Sequence, residues 1–246
     1  MSMFKRGMDA VESASQKNVD LKKVFIRLKD GESAKVRFLG AGDYVEYVAH
    51  ANGFNYGLYT QPCKKPLGVE CPICKMYESG LEKLDKGQKY SESEYYDLRP
   101  SKRYLIAMVD LEEDMLKVWD CSKTQFLNFI SQLEDYSDMI TDGEECYFTL
   151  KRTGAGTSTA YNLAPIMNTK KNAQLLEKLK PIYDKYEGQE VEDSFFESVL
   201  QVKEDNVILE ALDKGGVNIK EVYPDYSPSN DSAPIVKEAD DDDVPF

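Results

Sequence analysis

The chain contains a single histidine and five cysteines. One short stretch gathers the histidine and three of the cysteines: His50, Cys63, Cys71 and Cys74. Three thiolates and one imidazole make a donor set that structural zinc prefers. The Cys71-Pro72-Ile73-Cys74 turn brings two sulfurs within about 3–4 Å, as Zn–S bonds of about 2.3 Å require. Because protein atoms fill all four positions, no place is left for a catalytic water. One structural Zn2+ is therefore expected. A CxxC pair can also be a redox dithiol, but that motif follows a buried strand, and no apolar strand runs into Cys71. Zinc nucleobase deaminases need a Glu two residues after the His and a Pro before the CxxC pair. Asn52 and Glu70 occupy those positions, so the general acid/base is missing.

A second constellation interleaves cations with aromatic rings. It comprises Lys35 and Arg37, then Phe54, Tyr56, Tyr59, Lys64 and Lys65, then Tyr95, Tyr96, Arg99, Lys102, Arg103 and Tyr104. Binding single-stranded nucleic acid without strong sequence preference needs cations along the phosphates and ring faces for unstacked bases. The alternative is an ordinary core beneath a solvated face. Phe38, Tyr47, Tyr104 and Trp119 sit within apolar strands and read as core. Phe54-Asn55-Tyr56 and Tyr95-Tyr96 have polar neighbours and read as facing solvent or a ligand.

Short strands must position these residues. Val24–Leu28, Ala34–Leu39 and Tyr44–His50 read as strands separated by the turn signals Asp30-Gly31 and Gly40–Asp43. After the zinc segment, Lys75–Lys86 reads as a helix, and Lys102–Val109 and Met115–Trp119 read as strands. Lys123–Tyr136 is predicted helical, with Phe126, Leu127, Ile130 and Leu133 on its apolar side. Glu145–Arg152 and Thr159–Ala164 make a hairpin around Gly154-Ala155-Gly156. Lys170–Tyr186 reads as a helix bent or split by Pro181, and 190–222 as mixed helix and strand. This pattern predicts a mainly β, α+β chain: a meander or small barrel rather than βαβ units.

A length of 246 residues allows one large or two small domains. No apolar run reaches the roughly 18 residues of a membrane span, and no secretory signal opens the chain, so a cytoplasmic protein is expected. Cys121 and Cys146 then read as reduced, buried thiols. The net charge of −13 is unevenly spread: residues 1–110 hold 18 Lys/Arg against 15 Asp/Glu. The acidity therefore lies in the second half, as in proteins that join a nucleic-acid-binding body to an acidic tail. Three regions are expected: a basic arm (1–20), a core (21–222) with a zinc subdomain over about 50–90, and a disordered tail (223–246). The tail ends in Asp240, Asp241, Asp242, Asp243, Val244, Pro245 and Phe246, an acidic run with a hydrophobic tip suited to docking on a partner. It can also compete with DNA for the protein's own cationic groove.

The spacing from His50 through Cys63 and Cys71 to Cys74 resembles that of the single-stranded DNA-binding proteins of T-even-like phages. Phe4-Lys5-Arg6 is similar to that family's basic arm, Val36–Leu39 to its early core strand, and Lys102-Arg103-Tyr104 to its DNA-contacting strand. The likeness spans roughly residues 3–165. The tip 240–246 is more like that of bacterial single-stranded DNA-binding proteins, which recruit replication and repair enzymes. The resemblance implies an OB-type barrel with an inserted zinc subdomain, and self-association along DNA through Phe4, Lys5 and Arg6. It implies a coat for single-stranded DNA in replication, recombination and repair, acting in the bacterial host cytoplasm and without catalysis. A zinc-stabilised adaptor that binds proteins instead of DNA is the alternative.

Overall fold

The computed structural model describes residues 20–58, 60–141 and 145–228. Phe4, Lys5, Arg6, Tyr59 and Asp240 to Phe246 lie outside the described residues. In chain order the elements are α1 (Leu21–Val24), β1 (Ser33–Arg37), β2 (Tyr44–His50), β3 (Gln61–Pro62), α2 (Pro72–Glu82), β4 (Ser101–Asp110), β5 (Met115–Ser122), α3 (Lys123–Glu134), α4 (Ser137–Thr141), β6 (Phe148–Thr153), β7 (Ala160–Pro165), α5 (Ala173–Lys185), α6 (Asp193–Val199) and α7 (Asp205–Lys214).

The class is α+β, built on a seven-stranded, mostly antiparallel sheet among the described residues. β4 is its spine. β5 pairs along one side of β4 from Arg103 to Asp110. On the other side β2 and β1 lie end to end: Tyr44 opposes Ile106, and Arg37 opposes Val109. β1 then passes to β6, and β6 to β7, so the order is β3-β2-β4-β1-β6-β7 with β5 flanking β4.

The sheet is open, since no ladder among the described strands joins β5 to β7. A side chain fills the seam instead. Gln132 on α3 donates to the carbonyl of Tyr161 (3.2 Å) and accepts from the N–H of Leu163 (2.8 Å). Those are the two bonds that one residue of a parallel strand would make. Beside them Trp119 of β5 packs on Tyr161 of β7, with ring centroids 4.3 Å apart.

The core between the sheet and α3 follows from strand alternation. Val36, Tyr104, Ile106, Met108, Trp119, Cys121, Phe148 and Leu150 point inward and meet Phe129 and Leu133. α3 starts where it does because Ser122 and Gln125 form a reciprocal capping box. Leu127, expected on its apolar side, is 55% exposed, and Phe129 is the residue that turns in. The opposite face of β4 and β5 is covered as well: Leu105, Ala107 and Val118 are buried against Val24 of α1 and Phe196 and Val199 of α6.

Three further expectations are corrected. Val24–Leu28 is not a strand: Asp20 caps α1, and only one parallel bridge, Phe25 to Val118, follows. Pro181 does not split its helix, which runs unbroken through α5. Residues 190–222 contain helices and a 3-10 turn at Ile219–Glu221 but no strand. They serve as a strap. α6 lies on the β4–β5 face, while Ile208 and Leu212 of α7, with Val217 and Ile219, pack into the lobe around the cysteines. Tyr223 and Tyr226 continue that packing, inside the stretch expected to be tail. Gly215 permits the close approach, since a Cβ there would stand 2.2 Å from the carbonyl oxygen of Tyr56.

Candidate metal centre and nucleic-acid interface

His50 is the last residue of β2, and its ring is fully buried. Its Nδ1–H donates to the carbonyl of Leu98 at 2.6 Å, which leaves Nε2 as the free donor atom. Metal-bound histidines are oriented this way by a second hydrogen bond. Cys63 follows β3, which pairs with the end of β2 and so returns the chain to His50. Cys71 occupies the N-cap position of α2, Pro72 begins the helix, and Cys74 lies in its first turn. The helix dipole favours thiolates at that end.

The four donor atoms lie within 4.8 Å of one another, and all four residues are buried. Cys63 and Cys74 sulfurs are 3.5 Å apart, and His50 Nε2 is 3.4 Å from Cys71 Sγ and 3.6 Å from Cys74 Sγ. Tetrahedral bonds of about 2.0–2.3 Å require edges of roughly 3.3–3.8 Å. All five cysteines are free thiols, so no disulfide competes for these sulfurs. Burial pushes the Cys63 thiol up, and the hydrogen bond with Cys71 followed by burial pushes Cys74 up. Cys71 is held down to about 3, first by Cys74 and with help from His50. Three thiols crowded into a dry site do not ionise together without a cation to compensate them. The cluster can therefore hold one metal ion.

Along the expected nucleic-acid surface, six of the seven cations turn out to be partnered. Lys64 pairs with Asp205, Lys65 with Glu78, Arg99 with Asp97, and Lys102 with Glu46. Arg103 is buried, with Nε 2.9 Å from Asp120 and Tyr47 in the same network. Arg37 is buried over the ring of Tyr183, 3.7 Å from its centroid, and donates to the Tyr183 carbonyl. Tyr95, expected to face a ligand, is 2% exposed within the metal lobe. Arg37, Tyr95 and Arg103 are thus scaffold residues. Phe54 is exposed, and Lys35, Tyr56 and Tyr96 are half-buried. The Tyr56 hydroxyl donates to the Glu94 carbonyl, and Arg99 lies 4.0 Å from the Tyr96 ring centroid.

Where β2 and the start of β4 leave the metal lobe, a compact group does come together. The Tyr104 ring stacks on Phe126 with centroids 4.0 Å apart and planes 7° from parallel. Tyr44, 38% exposed, meets the same Phe126 edge-on at 5.2 Å. The Tyr104 hydroxyl and Lys102 Nζ both bind the carboxylate of Glu46, at 2.8 Å each. Lys123, exposed at the start of α3, also acts on that carboxylate electrostatically. Sequence reading missed Tyr44, Glu46, Lys123 and Phe126. The alternation of β2 places Tyr44 and Glu46 on the His50 side, and that signal was available.

Compared with known proteins, the chain matches no family model, no curated protein and no solved structure. No helix among the described residues is long and apolar enough to cross a membrane.

Proposed function

We propose that this protein coats single-stranded DNA, holding it at the junction of the sheet and a zinc-bound lobe. The observation that carries the reading is the place of the lobe in the chain. It is inserted between β2 and β4, beside the Tyr44–Phe126–Tyr104 rings and the Lys102 and Lys123 amines. Taken as two halves of one bent strand, β1 and β2 begin a sequence of strand, strand, strand, helix, strand, strand that matches an OB-type barrel, a partly open Greek-key form. Oligonucleotides reach such barrels through the connection between the first two strands and the one between the last two. Here these are the metal lobe and the Gly154–Thr159 turn. The outer β4–β5 face is sealed by α1 and α6, which directs a strand to the mouth at the start of β4.

Zinc is the best-fitting ion, because three sulfurs and one imidazole in a closed tetrahedral set suit it and leave no coordination position for catalysis. Its role is to fix the lobe that carries Phe54, Tyr56, Lys64 and Lys65. The acidic tail, with Asp240 to Phe246 at its tip, recruits replication or recombination partners, and Phe4, Lys5 and Arg6 support neighbour contacts along DNA. The expected compartment is the bacterial cytoplasm.

Titration of the full chain with oligo-dT, following Tyr/Trp fluorescence at two salt concentrations, tests this. Quenching that weakens with salt supports stacking plus phosphate contact. An absence of binding, even after deletion of residues 236–246, overturns it in favour of the protein-binding adaptor.

A further inference from the structure

The carboxylate of Glu46 is held as a phosphate would be. One oxygen takes the Lys102 amine and the other takes the Tyr104 hydroxyl, while Lys123, exposed at the start of α3, acts on the carboxylate electrostatically. An ammonium and a phenol on the two oxygens of one carboxylate, with a second ammonium acting at longer range, make a recognisable oxyanion site. It opens to solvent, since Lys102 and Glu46 side chains are 60% and 42% exposed. It also adjoins rings on which a base can stack, because Phe126 carries Tyr104 on one side and the partly exposed Tyr44 at its edge.

A surface pair of this exposure contributes little to stability. Its placement matters for binding instead, as Lys102 already has a protein anion. A strand phosphate arriving at Lys102 must displace Glu46 and leave that carboxylate nearby, at a Coulombic cost. We infer that Lys102, Lys123 and the Tyr104 hydroxyl form a phosphodiester subsite which Glu46 occupies in the free protein, acting as a built-in competitor of the DNA backbone. The inference rests on the single-stranded DNA reading above. It adds a regulatory consequence: strand affinity is set below what the cations alone would give, so the coat remains easy to strip.

The test is Glu46→Gln in the full chain, titrated with oligo-dT beside wild type and a charge-matched control, Glu177→Gln, on the exposed side of α5. Removing one unit charge a few ångströms from a phosphate should tighten binding about fivefold. The control should change it less than twofold. The double variant Glu46→Gln/Lys102→Gln should lose the gain, because the freed amine is gone. A wild type that binds while Glu46→Gln binds equally or more weakly overturns the competitor and leaves the DNA reading intact. An absence of binding by wild type that persists after deletion of residues 236–246 overturns both. Equal gains from Glu46→Gln and Glu177→Gln also overturn the subsite, since net charge alone would then explain them.

Discussion

Cys74 illustrates how a single atom decides a local structure. Its sulfur stands within 3.6 Å of both Cys63 Sγ and His50 Nε2. Cys74→Ser should therefore abolish tight metal binding, read as a fall from one equivalent of zinc per chain to near none by atomic absorption. Arg103 and Asp120 form a different unit, a buried charge pair inside the β2–β4–β5 face. Breaking such a pair from one side costs about 3–5 kcal/mol, so Asp120→Ala should lower the denaturant midpoint sharply. Asp43 behaves in the opposite sense. Burial raises its carboxyl above 3.8, the Gly40 N–H lowers it, and Glu190 raises it again. Its protonated form is favoured in the fold, so that contribution is full below pH 3.8 and is lost as pH rises through the raised value. Asp43→Asn keeps an acceptor for Gly40 and removes the ionisation. It should raise thermal stability at pH 7 and change it little below pH 3.8. At this scale the candidate metal cluster was legible because its chemistry demands residue types at fixed spacings. The cations were not, because their partners lie elsewhere in the chain: Asp205 for Lys64, Asp120 for Arg103, Tyr183 for Arg37.

The elements show what periodicity carries and where it stops. β4 reads as a strand and is one, but its unbroken burial from Arg103 onward also records covers that local sequence does not announce. One cover is α6, whose Phe196 and Val199 arrive from far along the chain. Val24–Leu28 has a strand's composition, yet it offers the sheet one bridge after the Asp20-capped turn. In α3 the three-and-four spacing is shared by two sets of apolar residues, and the set containing Phe129 meets the core. The same helix supplies Gln132 to the open seam. Gln132→Ala leaves the Tyr161 carbonyl and the Leu163 N–H unpaired, at about 1–3 kcal/mol. Hydrogen exchange should show the Leu163 amide deprotected in that variant while amides between β4 and β5 stay slow.

For the whole molecule, a metal at the His50–Cys74 cluster would act as a clasp between the sheet and the C-terminal strap. Its candidate ligands are His50 of β2, Cys63 after β3, Cys71 at the N-cap of α2 and Cys74 within it, and α7 with the turn at Ile219–Glu221 packs over the cysteines. Chelation should therefore loosen the lobe and the C-terminal strap together. Limited proteolysis should then cut near 200–204 in the apoprotein and spare it in the zinc form. The sheet core around Phe129 and Phe148, which contains none of the four candidate ligands, should persist in both. That arrangement also has a history in time. A chain emerging from the ribosome exposes His50, Cys63, Cys71 and Cys74 long before Asp205–Lys214 has been made. The nascent protein thus presents all four donors before α7, the last α-helix among the described residues, can pack over them.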